Sequence, residues 1–319
     1  MHYAIEFRPS REVAIRLWGL EIRWYAIFIL TGAILAFLWA RYQAKKDGKN
    51  PRMYDTFFIL VVPIAIIGAR IWYVLGDLED FAGKDFLYII NPASGGLAIQ
   101  GGVMAGVIFG IFYFKNRYKD VPLSYHFDTI VPSVLIGQIL GRWGNFMNQE
   151  VYGACVEQSK LWFIPSFILE NVSTACPYGE VSQPLFLYES FLNLIGFILI
   201  AIVLRNYWKK NRKPGDLFAC YFIWYGLVRA ILEPMRESEY IMQFLGMPLS
   251  IVTSVLFVLF GIAVMIFTRV NPKTKHITFE NLYVNDYGRQ LEKEKQERRK
   301  KLIEDKRKEL LEKRKMSNS

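Results

Sequence analysis

Thr129-Ile-Val-Pro-Ser-Val-Leu-Ile-Gly-Gln-Ile-Leu-Gly-Arg-Trp-Gly-Asn-Phe-Met-Asn-Gln-Glu150 is the stretch on which the reading of the fold turns. An apolar run, Thr129 to Leu140, is closed by Gly141 to Glu150, which carries an arginine, two asparagines and a glutamate. An arginine at the end of a membrane helix costs free energy unless it is used or snorkels to water. Two amides and a carboxylate close behind Arg142 argue against simple snorkelling. They supply donors for an anionic group and an acceptor to hold the guanidinium in place. The spacing points to a phosphate grip at the edge of a membrane.

Working outward, the whole chain has the same character. Of 319 residues, 53% are hydrophobic, with a net charge of +10, and the apolar residues come in long runs that no single soluble domain needs. Seven runs approach the roughly 20 residues of a spanning helix: Trp24–Trp39 with its flanks, Thr56–Leu75, Leu97–Phe114, Thr129–Met147, Leu185–Leu204, Leu217–Leu232 and Phe244–Phe267. The expected fold class is an all-α integral membrane protein of about seven transmembrane helices. The first run follows amphipathic residues that include Glu6, Glu12 and Glu21 and has no small-residue cleavage site, so an uncleaved helix is expected. Cys155, Cys176 and Cys220 lack metal-ligand spacing. Cys155 and Cys176 share one predicted outer loop, 148–184, where a disulfide and two free thiols both remain open. Neither a metal nor a cofactor is expected.

Charge orients the helices. Arg41, Lys45, Lys46, Lys49 and Arg52 fill the first loop, Lys115, Arg117 and Lys119 the third, and Arg205, Lys209, Lys210, Arg212 and Lys213 the fifth. The intervening loops are neutral or acidic, as at Asp77, Glu79, Asp80 and Asp85. The positive-inside rule then puts the N-terminus outside and the C-terminus in the cytoplasm. Residues 1–272 form the polytopic membrane domain and 273–319 a charged tail. In that tail Glu294–Arg298, Glu297–Lys301, Glu304–Lys308 and Glu309–Lys313 are spaced for a solvated helix drawn to anionic lipid. A charge run alone does not make a nucleic-acid site, and none is expected.

Given this orientation, the intramembrane polar residues share one depth. Tyr25, Arg70, Gln100, Arg142 with Asn145, Tyr188 with Glu189, and Tyr225, Arg229 and Glu233 all fall toward outer helix ends, with Arg236 just beyond. Plainer readings exist: Arg70 snorkels, Glu189 is merely interfacial, Arg229 and Glu233 form a structural ion pair. The last leaves Arg236 and Arg142 without a purpose. Gly102, Gly106 and Gly110 recur every fourth residue, the close-packing face of a membrane helix. Upstream, Gly95-Gly96 and Gly101-Gly102 bracket Gln100 and allow close backbone approach.

These residues resemble the prolipoprotein diacylglyceryl transferases, bacterial membrane enzymes that add a diacylglyceryl group to lipoprotein precursors. The resemblance runs from about Arg23 to Phe267. It rests above all on Gly141–Glu150 followed by Gly153, and also on Trp24-Tyr25, Gly68-Ala69-Arg70, Gly95–Gly102, Leu187-Tyr188-Glu189, and Tyr225–Arg229 with Glu233 and Arg236. It implies two partners, phosphatidylglycerol and a prolipoprotein signal peptide with its lipobox cysteine, in a cytoplasmic membrane with the site toward the outer leaflet. The expected catalytic residues are Arg142, Arg229, Tyr25 and Glu233. Expected substrate contacts are Arg142, Asn145, Glu150, Gly153, Gln100, Arg70, Tyr225, Arg236 and Glu189.

The chain departs from the family at three histidines. Gln100 and Gln183 stand where members commonly carry histidine, and Arg23 precedes the aromatic pair where histidine is frequent. The three histidines present, His2, His126 and His276, are not expected near the site. Glutamine keeps the hydrogen bonds of an imidazole but accepts no proton near neutral pH. Either the reaction needs no histidine base, leaving Glu150, Glu233 or water as acceptor, or the chain is a weakened lipid-binding paralogue. A polytopic transporter is the other alternative, although no second copy of Gly141–Glu150 suggests internal repeats. Removing residues 291–315 is expected to leave catalysis unchanged in correctly inserted protein, measured as turnover per mole of folded enzyme.

Overall fold

The computed structural model describes residues 13–17, 20–91, 96–172, 176–208, 211–236, 243–244, 247–272, 274–275, 278–279, 297–305 and 307. A hairpin of β1 (Val13–Leu17) and β2 (Leu20–Arg23) leads into α1 (Trp24–Lys46). Then come α2 (Arg52–Gly76), the short α3 (Phe86–Ile90), α4 (Ile99–Arg117) and α5 (Leu123–Met147). A small head follows, built from β3 (Cys155–Glu157), α6 (Ser166–Val172) and β4 (Glu180–Ser182). Helix α7 (Leu185–Phe197) continues through a wider π-type stretch, Ile198–Leu204, into α8 (Arg205–Tyr207). Helix α9 (Asp216–Leu232) ends in the tight turn Glu233–Met235, and the two-residue strands β5 (Gln243–Phe244) and β6 (Met247–Pro248) precede α10 (Leu249–Val270).

The architecture is that of an all-helical, multi-pass membrane protein. Among the described residues, five helices are long and apolar enough to cross a membrane: Trp24–Lys46, Arg52–Gly76, Leu185–Tyr207, Asp216–Met235 and Leu249–Val270. Helices α4 and α5 are 19 and 25 residues long but fall outside that set. Helix α4 carries Gln100 and four glycines and ends on Lys115 and Arg117; α5 carries His126, Asp128, Gln138, Arg142 and Asn145. The place of α5 accounts for its polarity, because it packs against α1, α7 and α9 and so meets protein on several sides. Polar side chains there find partners that lipid does not offer.

Helices α2 and α4 cross with their backbones in contact. A Cβ on Gly68 would lie 2.7 Å from the Gly101 carbonyl oxygen, and one on Gly101 would lie 2.3 Å from that of Gly68. Gly102 is also tight, 3.1 Å from the Ala65 oxygen, whereas Gly106 and Gly110 leave ordinary van der Waals room. The closest approach therefore sits one residue before the expected glycine face.

At the end of α5 remote from Arg142, four helix ends meet over buried charge. Asp128 accepts from the Gly215 and Phe218 amides at 2.8 and 3.0 Å, capping α9. Arg205 donates to Asp47 at 2.5 Å and to the Asp128 carbonyl at 3.0 Å, and Tyr125 adds a hydrogen bond to Asp47. Arg212 donates to the Arg205 carbonyl at 3.0 Å; burial lowers its pKa to about 10, opposed by Asp128. Arg205 and Arg212, expected as solvated loop charges, are thus interior groups. They turn inward because aspartates and carbonyls from neighbouring helix ends pair with them.

The chain beyond α10 returns to this cluster. Phe279 is 1% exposed, its amide donates to the Arg212 carbonyl at 2.8 Å, and the Arg212 guanidinium stacks 3.6 Å above its ring. Residues 297–305 form an exposed helical stretch; Glu294, Lys308, Glu309 and Lys313 of the expected tail pairs lie outside the described residues, as do Lys209, Lys210, Gly95, His2 and His276. Truncating the plug, Phe279→Ala, is expected to cost roughly 3 kcal/mol, read as a lower thermal unfolding midpoint in detergent.

Candidate active site

At the opposite end of the bundle, α5 presents Arg142 in its last turns. The Arg142 guanidinium lies between two side chains: Nη2 meets Glu189 Oε1 at 2.5 Å, and Nη1 donates to Asn145 Oδ1 at 3.3 Å. Asn145 in turn donates to Glu150 at 2.8 Å, and Asn148 reaches the same carboxylate oxygen at 3.4 Å. Glu189 is held in the second turn of α7, 4% exposed, and Ser190 beside it donates to the Ile139 carbonyl. A buried ion pair of this kind adds little net stability after desolvation, so its main effect is to fix orientation.

The turn after α5 is strained to bring Glu150 back. Gln149 and Val151 both have positive φ, 54° and 63°, a conformation especially unfavourable for β-branched valine. Between them, the Glu150 amide donates to the Asn145 carbonyl at 3.1 Å. Tyr25 joins from the start of α1, whose approach to α5 requires Gly144: a Cβ there would meet the Tyr25 ring at 2.7 Å. The Tyr25 hydroxyl lies in the fields of both Glu150 and Arg142.

Beside this cluster opens a cavity of about 390 Å³. Gln100 lines it from α4, Tyr225, Arg229 and Glu233 from α9 and its closing turn, and Arg236 from just beyond. Arg229 and Arg236 each stand 3.7 Å from Glu233, at ion-pair rather than hydrogen-bond distance. One carboxylate thus faces two guanidinium groups whose donors remain for a ligand. Burial and the neighbouring Arg229 depress the pKa of Arg236, while Glu233 and Glu189 raise it and Arg142 lowers it further. The Arg142 cluster and the cavity therefore form one electrostatic neighbourhood, in which the excess of positive charge belongs to the cavity lining, two arginines against Glu233.

The sequence reading missed the far wall. Leu249, Ser250, Thr253, Ser254 and Phe257 of α10 also line the cavity; small hydroxyls in a strongly apolar run give little signal on their own. Gly153, an expected substrate contact, sits in the backbone beside Arg236. It pairs with Arg236 in an antiparallel bridge, and a Cβ on it would lie 2.8 Å from the Met235 oxygen.

Arg70 stands apart from both groups. It is 3% exposed and donates to the carbonyls of Ile89 at 2.7 Å, Tyr88 at 3.0 Å and Gly96 at 3.1 Å, with the Phe81 ring 5.2 Å away. It neither snorkels nor lines the cavity; it ties the connection between α2 and α4, α3 included, to α2. His126 sits at the other end of α5, stacked 3.8 Å from Phe114, sixteen residues or about 24 Å of helix from Arg142. Cys155 and Cys176 are joined in a disulfide within the head, and Cys220 is a free thiol.

Residues 12–267 match the family described as prolipoprotein diacylglyceryl transferase. A phosphatidylglycerol–prolipoprotein diacylglyceryl transferase of Streptococcus sanguinis (strain SK36) is 43% identical over 260 residues, covering 81% of this chain and 95% of the relative. Proteins of the same name from Malacoplasma penetrans (strain HF-2) and Streptococcus pneumoniae (strain ATCC 700669 / Spain 23F-1) are both 39% identical. They cover 80% and 84% of this chain, and 76% and 98% of their own lengths. With the match spanning the helical bundle and both charged clusters of the site, the chain belongs to the prolipoprotein diacylglyceryl transferase family.

Proposed function

We propose that this chain transfers the diacylglyceryl group of phosphatidylglycerol to the lipobox cysteine of prolipoproteins. The thiol sulfur bonds to the lipid's glycerol carbon as that carbon's bond to the phosphate oxygen breaks. A thioether forms, glycerol phosphate leaves, and the thiol proton passes to a base or to water. The observation that carries this reading is the charge imbalance at the cavity, two arginines against Glu233. Such a pocket favours an anionic phosphodiester and stabilises the charge that grows on the leaving phosphate.

Roles follow from the contacts. Arg229 and Arg236 bind the phosphate, with Glu233 keeping the two guanidiniums in register. Arg142, oriented by Glu189 and Asn145, stabilises the departing oxygen; a planar fork suits this better than an ammonium. Glu150, bound to Asn145 and Asn148, holds that arrangement, and Gly153 sets the backbone beside Arg236. Tyr25, Tyr225 and Gln100 orient the lipid by hydrogen bonds. Arg70 contributes at a distance, by shaping the approach between α2 and α4. A thiol of ordinary pKa near 8.5 needs only modest activation beside arginines, which suits a site with Gln100 in place of an imidazole.

The setting belongs to the same proposal. Helices α4 and α5 join the five apolar helices as spans, making seven, with the N-terminus outside, the C-terminus in the cytoplasm and the site toward the outer leaflet of the bacterial cell membrane. Residues 1–272 form the catalytic unit and 273–319 the charged tail, tethered through Phe279.

Purified protein incubated with phosphatidylglycerol and a lipobox peptide is expected to release glycerol phosphate and give a peptide heavier by one diacylglyceryl group. Binding of the lipid without release would instead identify a lipid-binding paralogue. Arg142→Ala is expected to lower turnover by about a hundredfold or more, roughly 2.7 kcal/mol of transition-state stabilisation, and Arg142→Lys to rescue little of it. Gln100→His is expected to change turnover by only a few-fold, about 1 kcal/mol or less; a severe loss would contradict an orienting role for Gln100.

A further inference from the structure

Arg236 lies past the end of α9, and its direction is set by neighbours outside that helix. The helix stops at Leu232, the turn Glu233–Met235 follows, and Arg236 itself is extended at φ −79° and ψ 148°. Its amide donates to the Glu233 carbonyl at 3.0 Å, which holds one side. The head holds the other. Ala154 N–H donates to the Met235 carbonyl at 2.8 Å, and Gly153 forms the antiparallel bridge with Arg236. The Gly153 amide donates to the Gln183 carbonyl at 3.0 Å, and the Gln183 amide to the Ala154 carbonyl at 3.2 Å. Gly153 has no room for a side chain: a Cβ there would be 2.7 Å from that of Gln183.

The next residue along this strand is Cys155, bonded to Cys176. Apart from that bond, β3 is paired to β4 through three residue pairs, Cys155–Ser182, Val156–Val181 and Glu157–Glu180, extended at its ends by the Gly153, Ala154 and Gln183 bonds and by one from Gln158 to Gly179. So short a ladder is marginal by itself. The covalent link thus sits one residue from Ala154, where head backbone meets the arginine-bearing segment. Both cysteines are partly exposed.

We propose that the Cys155–Cys176 disulfide is a positioning device for Arg236, so that the oxidised head keeps the cavity in its headgroup-binding shape. This rests on the reading of the cavity as the phosphatidylglycerol headgroup site. An external dithiol opens the bond by exchange: two electrons and two protons pass to the cysteines while the dithiol closes to its own disulfide. Strand β3 then loosens, and Arg236 loses its fixed relation to Glu233 and Arg229. A staple that only kept the head folded would alter stability and leave headgroup affinity unchanged.

The test uses the full-length protein in detergent with phosphatidylglycerol, measuring both lipid binding and turnover. Reduction with dithiothreitol, or the pair Cys155→Ser and Cys176→Ser, is expected to raise Kd and KM for the lipid about tenfold, the scale of one charge-assisted hydrogen bond. The turnover number at saturation is expected to stay within about threefold. The serine pair should no longer respond to dithiothreitol, which separates this bond from the free Cys220. In an Arg236→Ala background, breaking the disulfide should have no further effect on Kd. A tenfold loss that persists in that background overturns the proposal, as does a lower unfolding midpoint with unchanged Kd. Oxidised wild-type protein that binds the lipid without turning it over would defeat the transferase reading while leaving the Kd comparison decisive. Failure to bind at all would defeat the headgroup reading and this proposal together.

Discussion

A cation inside an apolar bundle stays there only if something pairs with it, and α5 meets that demand at both of its ends. At one end the first turns of the helix supply Asp128, whose side chain caps α9 and whose carbonyl accepts from Arg205, with Asp47 completing the pairing. At the other end the last turns present Arg142 to Glu189 and Asn145. Breaking either pair would leave an uncompensated charge among packed helices, which is far more costly than never having placed it. The rest of the fold is arranged around this helix: α1, α7 and α9 must surround it, because lipid would not tolerate its polar positions.

The two ends nonetheless differ in a way that separates structure from chemistry. In the Asp128 cluster, the aspartates and carbonyls take up part of the arginine donors, the remaining donors are enclosed by protein, and a phenylalanine ring covers Arg212. At the Arg142 end, a cavity adjoins the pairs, and Arg229 and Arg236 sit too far from Glu233 for hydrogen bonds. An arginine with unused donors beside open space is poised for an anionic guest, whereas one stacked under an aromatic ring is not. Charge content alone would not have told the two clusters apart. Contact geometry does.

This distinction also marks what the sequence could reveal. The residues that gather at the candidate site were legible where they are polar groups at the edge of an apolar run, because helices running in alternate directions bring such edges together. The same logic failed at Arg205 and Arg212. Both stand in a basic stretch that reads as a solvated loop, and nothing local announces that Asp47 and Asp128, some 158 and 77 residues away for Arg205, will meet them. Arg70 failed differently: its position at a helix end was right, but its partners are backbone carbonyls, and every residue has one. Ser250 and Thr253 gave no signal, since small hydroxyls in an apolar helix usually bond to their own backbone, as Thr253 does here to Ser250.

The inward turn of Arg205 and Arg212 bears on how the helices are oriented. A buried, paired arginine is a poor topological marker, since the positive-inside bias concerns short loops and their flanks in water. Lys49 is buried as well, and setting all three aside still leaves Arg41, Lys45, Lys46, Arg52, Lys115, Arg117 and Lys119 exposed at the same end of the bundle. The acidic connection between α2 and α4, with Asp77, Glu79, Asp80 and Asp85, lies at the site end. The charge asymmetry therefore survives on surface groups alone, and it points the cavity away from the basic end. The head and its disulfide lie at the cavity's end, across the bundle from the exposed basic loops.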